Sequence, residues 1–441
     1  MQHTQNKVEI RDGCDESEYK LWPSGSMDES YNITIHDQEI SITSNEIWGV
    51  LHALETILQL VYTNEVGENL IFKGRIEDDP VFAYRGVLVN TGSNFIPMEY
   101  LFKTIDAMAM VKMNVFHWRV TDSQSFPFVS STYPELSNKG AFHPQFCTYD
   151  EEEVADLLEY ARLRGVRVIS EFNTPDHTLS WGNGYPDILT KCYKDSEPDG
   201  NLGPLNPTNP ETFTFLENFY KEVVTRFSDS YLYLGGDVEF LSCWKSNPEI
   251  VQFMDSMQFG DDYGKLVTYY MDRLVEIIEN VTGSESTITP ILHESVFTNG
   301  FRSKTNAIIH VSSSLDRKTV TQLATTEGFN VIVTGEWQLD VWLSADDWKQ
   351  HYEQDIRDFG GTDEQSQLVI GGLAAVWGRL VDETNLISLS WPRAAAAAER
   401  LWSRNPEDIE KFGERLSELH CRMAKNNIQG YPVNGPGFCP P

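Results

Sequence analysis

Eight short apolar runs recur along the chain, at residues 84–90, 114–120, 166–171, 231–235, 288–293, 307–312, 330–335 and 369–376. Most are separated by amphipathic stretches with helical spacing, such as 151–164 and 263–279. Runs this short and this apolar read as strands buried on both faces, and alternation with helices makes them parallel, joined by right-handed crossovers. Eight such units predict an α/β fold, a closed (β/α)8 TIM barrel, over residues 81–441, with a last helix at 406–426 and a Gly/Pro-rich tail. Residues 1–80 read as a smaller α+β unit. Alternating stretches at 31–36 and 39–43 predict a hairpin, and a helix follows to about Tyr62, with Ser44 or Asn45 as its N-cap. Glu77-Asp-Asp-Pro80 is the expected boundary.

The net charge of −32 argues against nucleic acid or an anionic membrane as partner, since phosphate would be repelled. No apolar run is long enough to predict a membrane span, and Met1-Gln-His-Thr-Gln is not a signal peptide. None of the 6 cysteines forms a CxxC pair, so no metal is expected, and no cofactor motif occurs. Cys421 and Cys439 bracket the tail and could staple it. Sequons at Asn32 and Asn280 predict N-glycosylation, and with an even cysteine count they predict a secretory-pathway protein.

In a parallel barrel, functional groups gather where strands end. The stretch Tyr231-Leu-Tyr-Leu-Gly-Gly-Asp237 delivers a carboxylate just past the fourth strand. Around the same mouth the pattern places Arg85, Asn90, Asp122, Asn173, His177, Glu239, His293, Glu294, Trp337, Asp340, Trp377 and Arg379. Carboxylates, imidazoles, a guanidinium and indole faces around one opening suit a sugar, with polar groups for hydroxyls and aromatic faces for C–H surfaces.

Several segments carry a resemblance: Arg85-Gly-Val-Leu-Val-Asn-Thr, Asn114-Val-Phe-His-Trp118, Thr174-Pro-Asp-His-Thr-Leu-Ser-Trp181, Gly235-Gly-Asp237, Cys243-Trp-Lys-Ser-Asn-Pro-Glu249 and Trp391-Pro-Arg-Ala-Ala-Ala-Ala-Ala-Glu-Arg-Leu-Trp402. From about residue 20 to the C-terminus the chain resembles the family 20 glycoside hydrolases, of the animal lysosomal-type β-N-acetylhexosaminidase kind. That resemblance implies an incomplete N-terminal domain before the barrel and the disulfides Cys192–Cys243 and Cys421–Cys439. It implies that Cys14 pairs with a cysteine upstream of this chain. It also implies N-acetylhexosamine-containing glycans as ligands, a homo- or heterodimer with a related subunit, and a lysosomal or extracellular location.

By the same resemblance, the substrate's own acetamido oxygen acts as nucleophile, steered by Asp237 and a tyrosine and assisted by a protonated Glu. Arg85, Asp122, His177, Trp337, Asp340 and Trp377 would bind substrate or support the acid. The acid's position holds Val238, which cannot donate a proton. The tyrosine's position holds Gln338, two of three acetamide-enclosing tryptophans are Leu292 and Ser312, and a sugar-binding Glu is Arg379. The expectation is a hexosaminidase-like pseudoenzyme with a structural, subunit or glycan-binding role. The alternative is an active hydrolase using Asp237 and Glu239, one residue beyond the family position.

Overall fold

The computed structural model describes residues 5–10, 21–36, 39–238, 241–283, 288–302, 306–341, 344, 346–433 and 439. Eight parallel strands close into a barrel in chain order: Tyr84–Asn90, Val115–Arg119, Arg167–Thr174, Tyr231–Gly235, Thr289–His293, Ile308–Val311, Asn330–Val333 and Val369–Val376. The eighth strand pairs with the first through Gly371↔Tyr84 to Val376↔Val89. Three of these strands have the ends expected from the apolar runs, and the others differ by one to three residues.

Alternation along each strand divides its side chains between two cores. Inward positions carry Tyr84, Leu88, Val115, Ile169, Tyr233, Ile291, Ile308, Ile332, Leu373 and Ala375, which fill the barrel. Outward positions join a larger apolar layer beneath the helices, where Phe116, Trp118, Phe172, Leu234 and Leu292 are buried. The inward rows change character towards the strands' C-terminal ends. Val115 is followed two and four residues on by His117 and Arg119, Ile169 by Glu171, Ile291 by His293, and Ile308 by His310 and Ser312. Period two therefore builds an apolar plug below and a polar floor above.

The helices are fixed by local signals. Asp150 caps Glu151–Arg162 with a capping box to Glu153, an arrangement worth about 1 kcal/mol. Tyr263–Thr282 buries Leu266, Val267, Tyr270, Met271, Leu274, Val275 and Ile278 and stops at Gly283, whose φ of 67° is the left-handed conformation that favours glycine. The last helix runs Ile409–Lys425.

Ahead of the barrel, Gln5–Ile10, Glu39–Ser44, Tyr31–Ile35 and Gly74–Asp78 form a four-stranded sheet in that spatial order. The expected hairpin is present, Tyr31–Ile35 pairing antiparallel with Glu39–Ser44. The helix Ile47–Leu60 follows, but neither expected cap is used. Ser44 Oγ donates to Ser30 O (2.7 Å) and Asn45 Nδ2 to Asp28 Oδ2 (2.7 Å), so both side chains are committed to the preceding loop; Glu46 stands at the cap, and its carboxylate accepts from the Asp28 amide (3.1 Å) rather than from the helix. Asn32 lies half-buried within this sheet, and Asn280 is exposed near the end of its helix.

Arg85 sits at the seam between sheet and barrel. It is the second residue of the first strand, so its side chain emerges at the end of the barrel opposite the strand C-termini. It is fully buried, donating to Glu29 Oε1 (2.5 Å), Phe82 O (2.8 Å) and Lys112 O (2.9 Å), with Trp402 5.0 Å away. Glu29 also binds Asn114 Nδ2 (2.9 Å) and His52 Nε2 (2.8 Å). The expectation that Arg85 contacts a sugar is thereby corrected: it closes the barrel's lower end.

Candidate functional site

A cavity of about 1350 Å³ opens at the C-terminal ends of the strands, larger than the roughly 300–1,000 Å³ usual for small-ligand pockets. Its floor is the polar upper layer of the barrel. Asp122, His177, Asp237, His293, Glu294, Ser312, Gln338, Trp377 and Arg379 all line it. Its outer wall comes from the hairpin 189–205, tied to the helix Ser242–Ser246 by the disulfide Cys192–Cys243. Cys421–Cys439 closes the C-terminal tail onto the last helix. These two cysteines form a cluster with His420, but their sulfurs are spent on each other, so the group is no metal site. Cys14 lies outside the described residues.

Asp237 owes its position to the two glycines before it. Gly235 and Gly236 have φ of 88° and 94°, a conformation costly for residues with a Cβ. A Cβ on Gly235 would run into Asn173 Oδ1 and one on Gly236 into Val296 Cγ2. The chain therefore turns sharply and presents Asp237 between two imidazoles, His177 Nε2 at 3.6 Å and His293 Nδ1 at 3.9 Å. Burial raises its pKa, but His177, His293 and Arg119 outweigh that and hold the carboxyl well below the usual carboxylate range.

His177 is itself in the left-handed region, with φ of 63°. Its Nδ1 faces Asp122 Oδ1 at 2.9 Å. Asp122 further accepts from Asn90 Nδ2 (2.7 Å), Ser93 Oγ (3.1 Å) and the Ser123 amide (2.7 Å). Arg119 bridges Asp122 (3.4 Å) and Glu171 (2.8 Å) with its guanidinium 5.9 Å from the Trp377 ring. Burial and Arg119 lower the His177 pKa, yet the bond to Asp122 and the nearby Asp237 carboxylate prevail and raise it to about 9. The row Arg119–Asp122–His177–Asp237 is thus a chain of alternating charge across the floor. Arg119 was not among the expected site residues. Its place as the third inward position of a strand that begins Val115, His117 was the available signal.

The expected residues part company here. Asp122, His177, Asp237 and Trp377 converge. Trp337 does not line the cavity: it is fully buried, its indole N–H donating to His351 O (2.8 Å), and it packs on Gly372. Asp340 is half-buried beside Trp377 without lining the cavity, and its Oδ1 has no hydrogen-bond partner. Val238 packs against the apolar layer beneath the helices. Glu239 lies outside the described residues.

Comparison with known proteins agrees with this geometry. Residues 82–405 match the family described as "Glycosyl hydrolase family 20, catalytic domain", and residues 1–60 match "beta-acetyl hexosaminidase like". The chain is 40% identical over 425 residues to the human "Beta-hexosaminidase subunit beta", covering 96% of this chain and 75% of that one. It is 40% identical over 434 residues to the Bos taurus "Beta-hexosaminidase subunit alpha", covering 98% and 80%. Among solved structures, a Flavobacterium johnsoniae chitobiase superposes with a TM-score of 0.82 at 26% identity, over 92% of this chain and 61% of that one. A β-N-acetylhexosaminidase from Bacteroides fragilis gives 0.81 at 21% identity, over 98% and 94%, a likeness of fold alone. This chain belongs to glycoside hydrolase family 20.

Proposed function

We propose that this protein is a hexosaminidase-like pseudoenzyme, a family 20 barrel that keeps a polar glycan pocket and has lost the acid that cleaves glycosidic bonds. The observation that carries the reading is Val238. It follows Asp237, at the position where the family resemblance places the proton donor, and it is packed in apolar surroundings. A general acid typically contributes about 10²–10⁴-fold. Gln338, Leu292, Ser312 and Arg379 at the other altered positions support the reading. Leu292 is buried in the outer apolar layer, and Arg379 is exposed at the rim with no ion-pair partner among the described residues.

The role proposed is recognition of N-acetylhexosamine-containing glycans, or service as one subunit of a homo- or heterodimer with a related chain. The names of the relatives, subunits alpha and beta, support the second. Two disulfides, the exposed Asn280 sequon and the family suit a lysosomal or extracellular glycoprotein. No helix among the described residues is long and apolar enough to cross a membrane. Titration with N-acetylglucosamine tests recognition, because a ligand that binds only the folded state raises the melting temperature. An unchanged melting temperature at saturating sugar would reject glycan binding and leave the subunit role.

A further inference from the structure

The altered positions do more than remove a hydrolytic site. Where the fifth and sixth strands end, His293 Nε2 lies 2.8 Å from Ser312 Oγ. Both side chains line the cavity beside Asp237. Three strands, the fourth, fifth and sixth, thus deliver a carboxylate, an imidazole and a hydroxyl to one corner of the pocket.

The protons can be counted. Ser295 Oγ donates its single hydrogen to Gly236 O at 2.7 Å. Towards His293 Nδ1, 2.9 Å away, it can only accept. Nδ1 therefore carries the imidazole proton. The Ser295 backbone N–H also donates towards Nδ1 from 3.3 Å, which favours the opposite tautomer, but that contact is longer than the 2.9 Å and 2.7 Å pair through Ser295 Oγ. Nε2 is left as a bare acceptor facing the Ser312 hydroxyl. That is the tautomer a general base needs. Ser312 has a competing acceptor in Glu294 Oε1 at 3.3 Å, which also takes the Ser313 amide at 3.0 Å. The closer imidazole wins the hydroxyl proton. Asp237 Oδ1, 3.9 Å from Nδ1, stabilises the imidazolium once it forms. The side-chain amide of Gln338 also lines the cavity, but its two hydrogens are given to Ser312 O (3.3 Å) and Gly335 O (3.4 Å), so it holds the backbone behind the serine.

We propose that Ser312 and His293 are a nucleophile–base pair for acyl transfer, and that the pocket removes an ester-linked acyl group, such as acetyl, from a sugar. Ser312 Oγ attacks the acyl carbon while its proton passes to His293 Nε2. The bond between the acyl carbon and the sugar oxygen breaks, its electron pair stays on that oxygen, and Nε2 returns the proton there. Water, deprotonated by Nε2, then attacks the acyl-serine, and the carboxylic acid leaves as Ser312 regains its hydrogen. The net change is ester plus water to sugar alcohol plus carboxylic acid. The sugar pocket proposed above sets only the choice of alcohol.

The test is covalent labelling with a fluorophosphonate probe, read by peptide mass mapping, alongside turnover of p-nitrophenyl acetate. The expected result is an adduct on Ser312 that is absent from Ser312→Ala, with turnover lowered about 10²–10⁴-fold in His293→Gln at an unchanged melting temperature. No adduct on Ser312 in the native protein, or equal turnover in Ser312→Ala, would overturn the proposal. Should Ser312→Ala not fold, Ser312→Cys keeps a nucleophile of similar size. Its alkylation by iodoacetamide must then be at least tenfold faster than in the double variant with His293→Gln, and equal rates overturn the proposal. Neither reagent carries a sugar, so failure here is separate from failure of glycan recognition.

Discussion

Replacing Glu29 by Gln tests how the two parts of the chain are joined. Glu29 and Arg85 have side chains 2% and 0% exposed, and Arg85 has no other anionic partner among its described bonds. Burial raises the Glu29 pKa, but Arg85 and His52 bring it down to about 2 from an ordinary 4.5. The folded pKa is depressed, so the contribution is fully present above pH 4.5 and is lost as pH falls towards 2. Lowering from 4.5 to about 2 corresponds to about 3 kcal/mol. Leaving a buried partner uncompensated costs about 3–5 kcal/mol, so Glu29→Gln is expected to lose about 3 kcal/mol at pH 7. Urea unfolding followed by tryptophan fluorescence measures the difference between native and variant protein at several pH values. The gap should narrow steadily below pH 4.5. A loss under about 1 kcal/mol, well below the buried-pair range, or a gap independent of pH from 3 to 7, would refute the reasoning.

Three other outcomes are expected. The His177 imidazole should titrate near pH 9 by NMR and move down in Asp122→Asn; because its folded pKa is raised from 6.5, its stabilising contribution is present below pH 6.5 and fades as pH climbs through 9. A native-like titration in Asp122→Asn would exclude Asp122 as the cause. Gly236→Ala should destabilise by at least about 1–3 kcal/mol in thermal unfolding, since the new Cβ meets Val296 at a φ of 94°; a neutral change would contradict the turn described. Opening Cys192–Cys243, which spans 51 residues, by double serine substitution should cost about 2–4 kcal/mol and expose the hairpin 189–205 to limited proteolysis; unchanged cleavage would show that the wall holds without it.

The barrel was legible in the sequence because each strand is buried on both faces and so reads as a continuous apolar run. Direction along a strand was harder to read. Arg85 and Asn90 belong to one strand, yet only Asn90, at its C-terminal end, reaches the cavity. Trp337 carries a motif residue's identity, but its indole turns outward to His351, and nothing in the local pattern marks that choice. Asp237 could be placed from Gly-Gly-Asp because the glycines state the turn. The Ser312–His293 pair could not, since it joins residues from two strands whose register is set by barrel closure. Its proton assignment depends on a third residue, Ser295, bonded to a fourth, Gly236.

The central claim is that this barrel does not hydrolyse β-N-acetylhexosaminides. A chromogenic N-acetylglucosaminide assayed between pH 4 and 7 tests it most directly. No release above the buffer blank is expected for the native protein and for Glu239→Gln alike. Turnover by the native protein that disappears in Glu239→Gln would contradict it and establish Glu239 as the displaced acid.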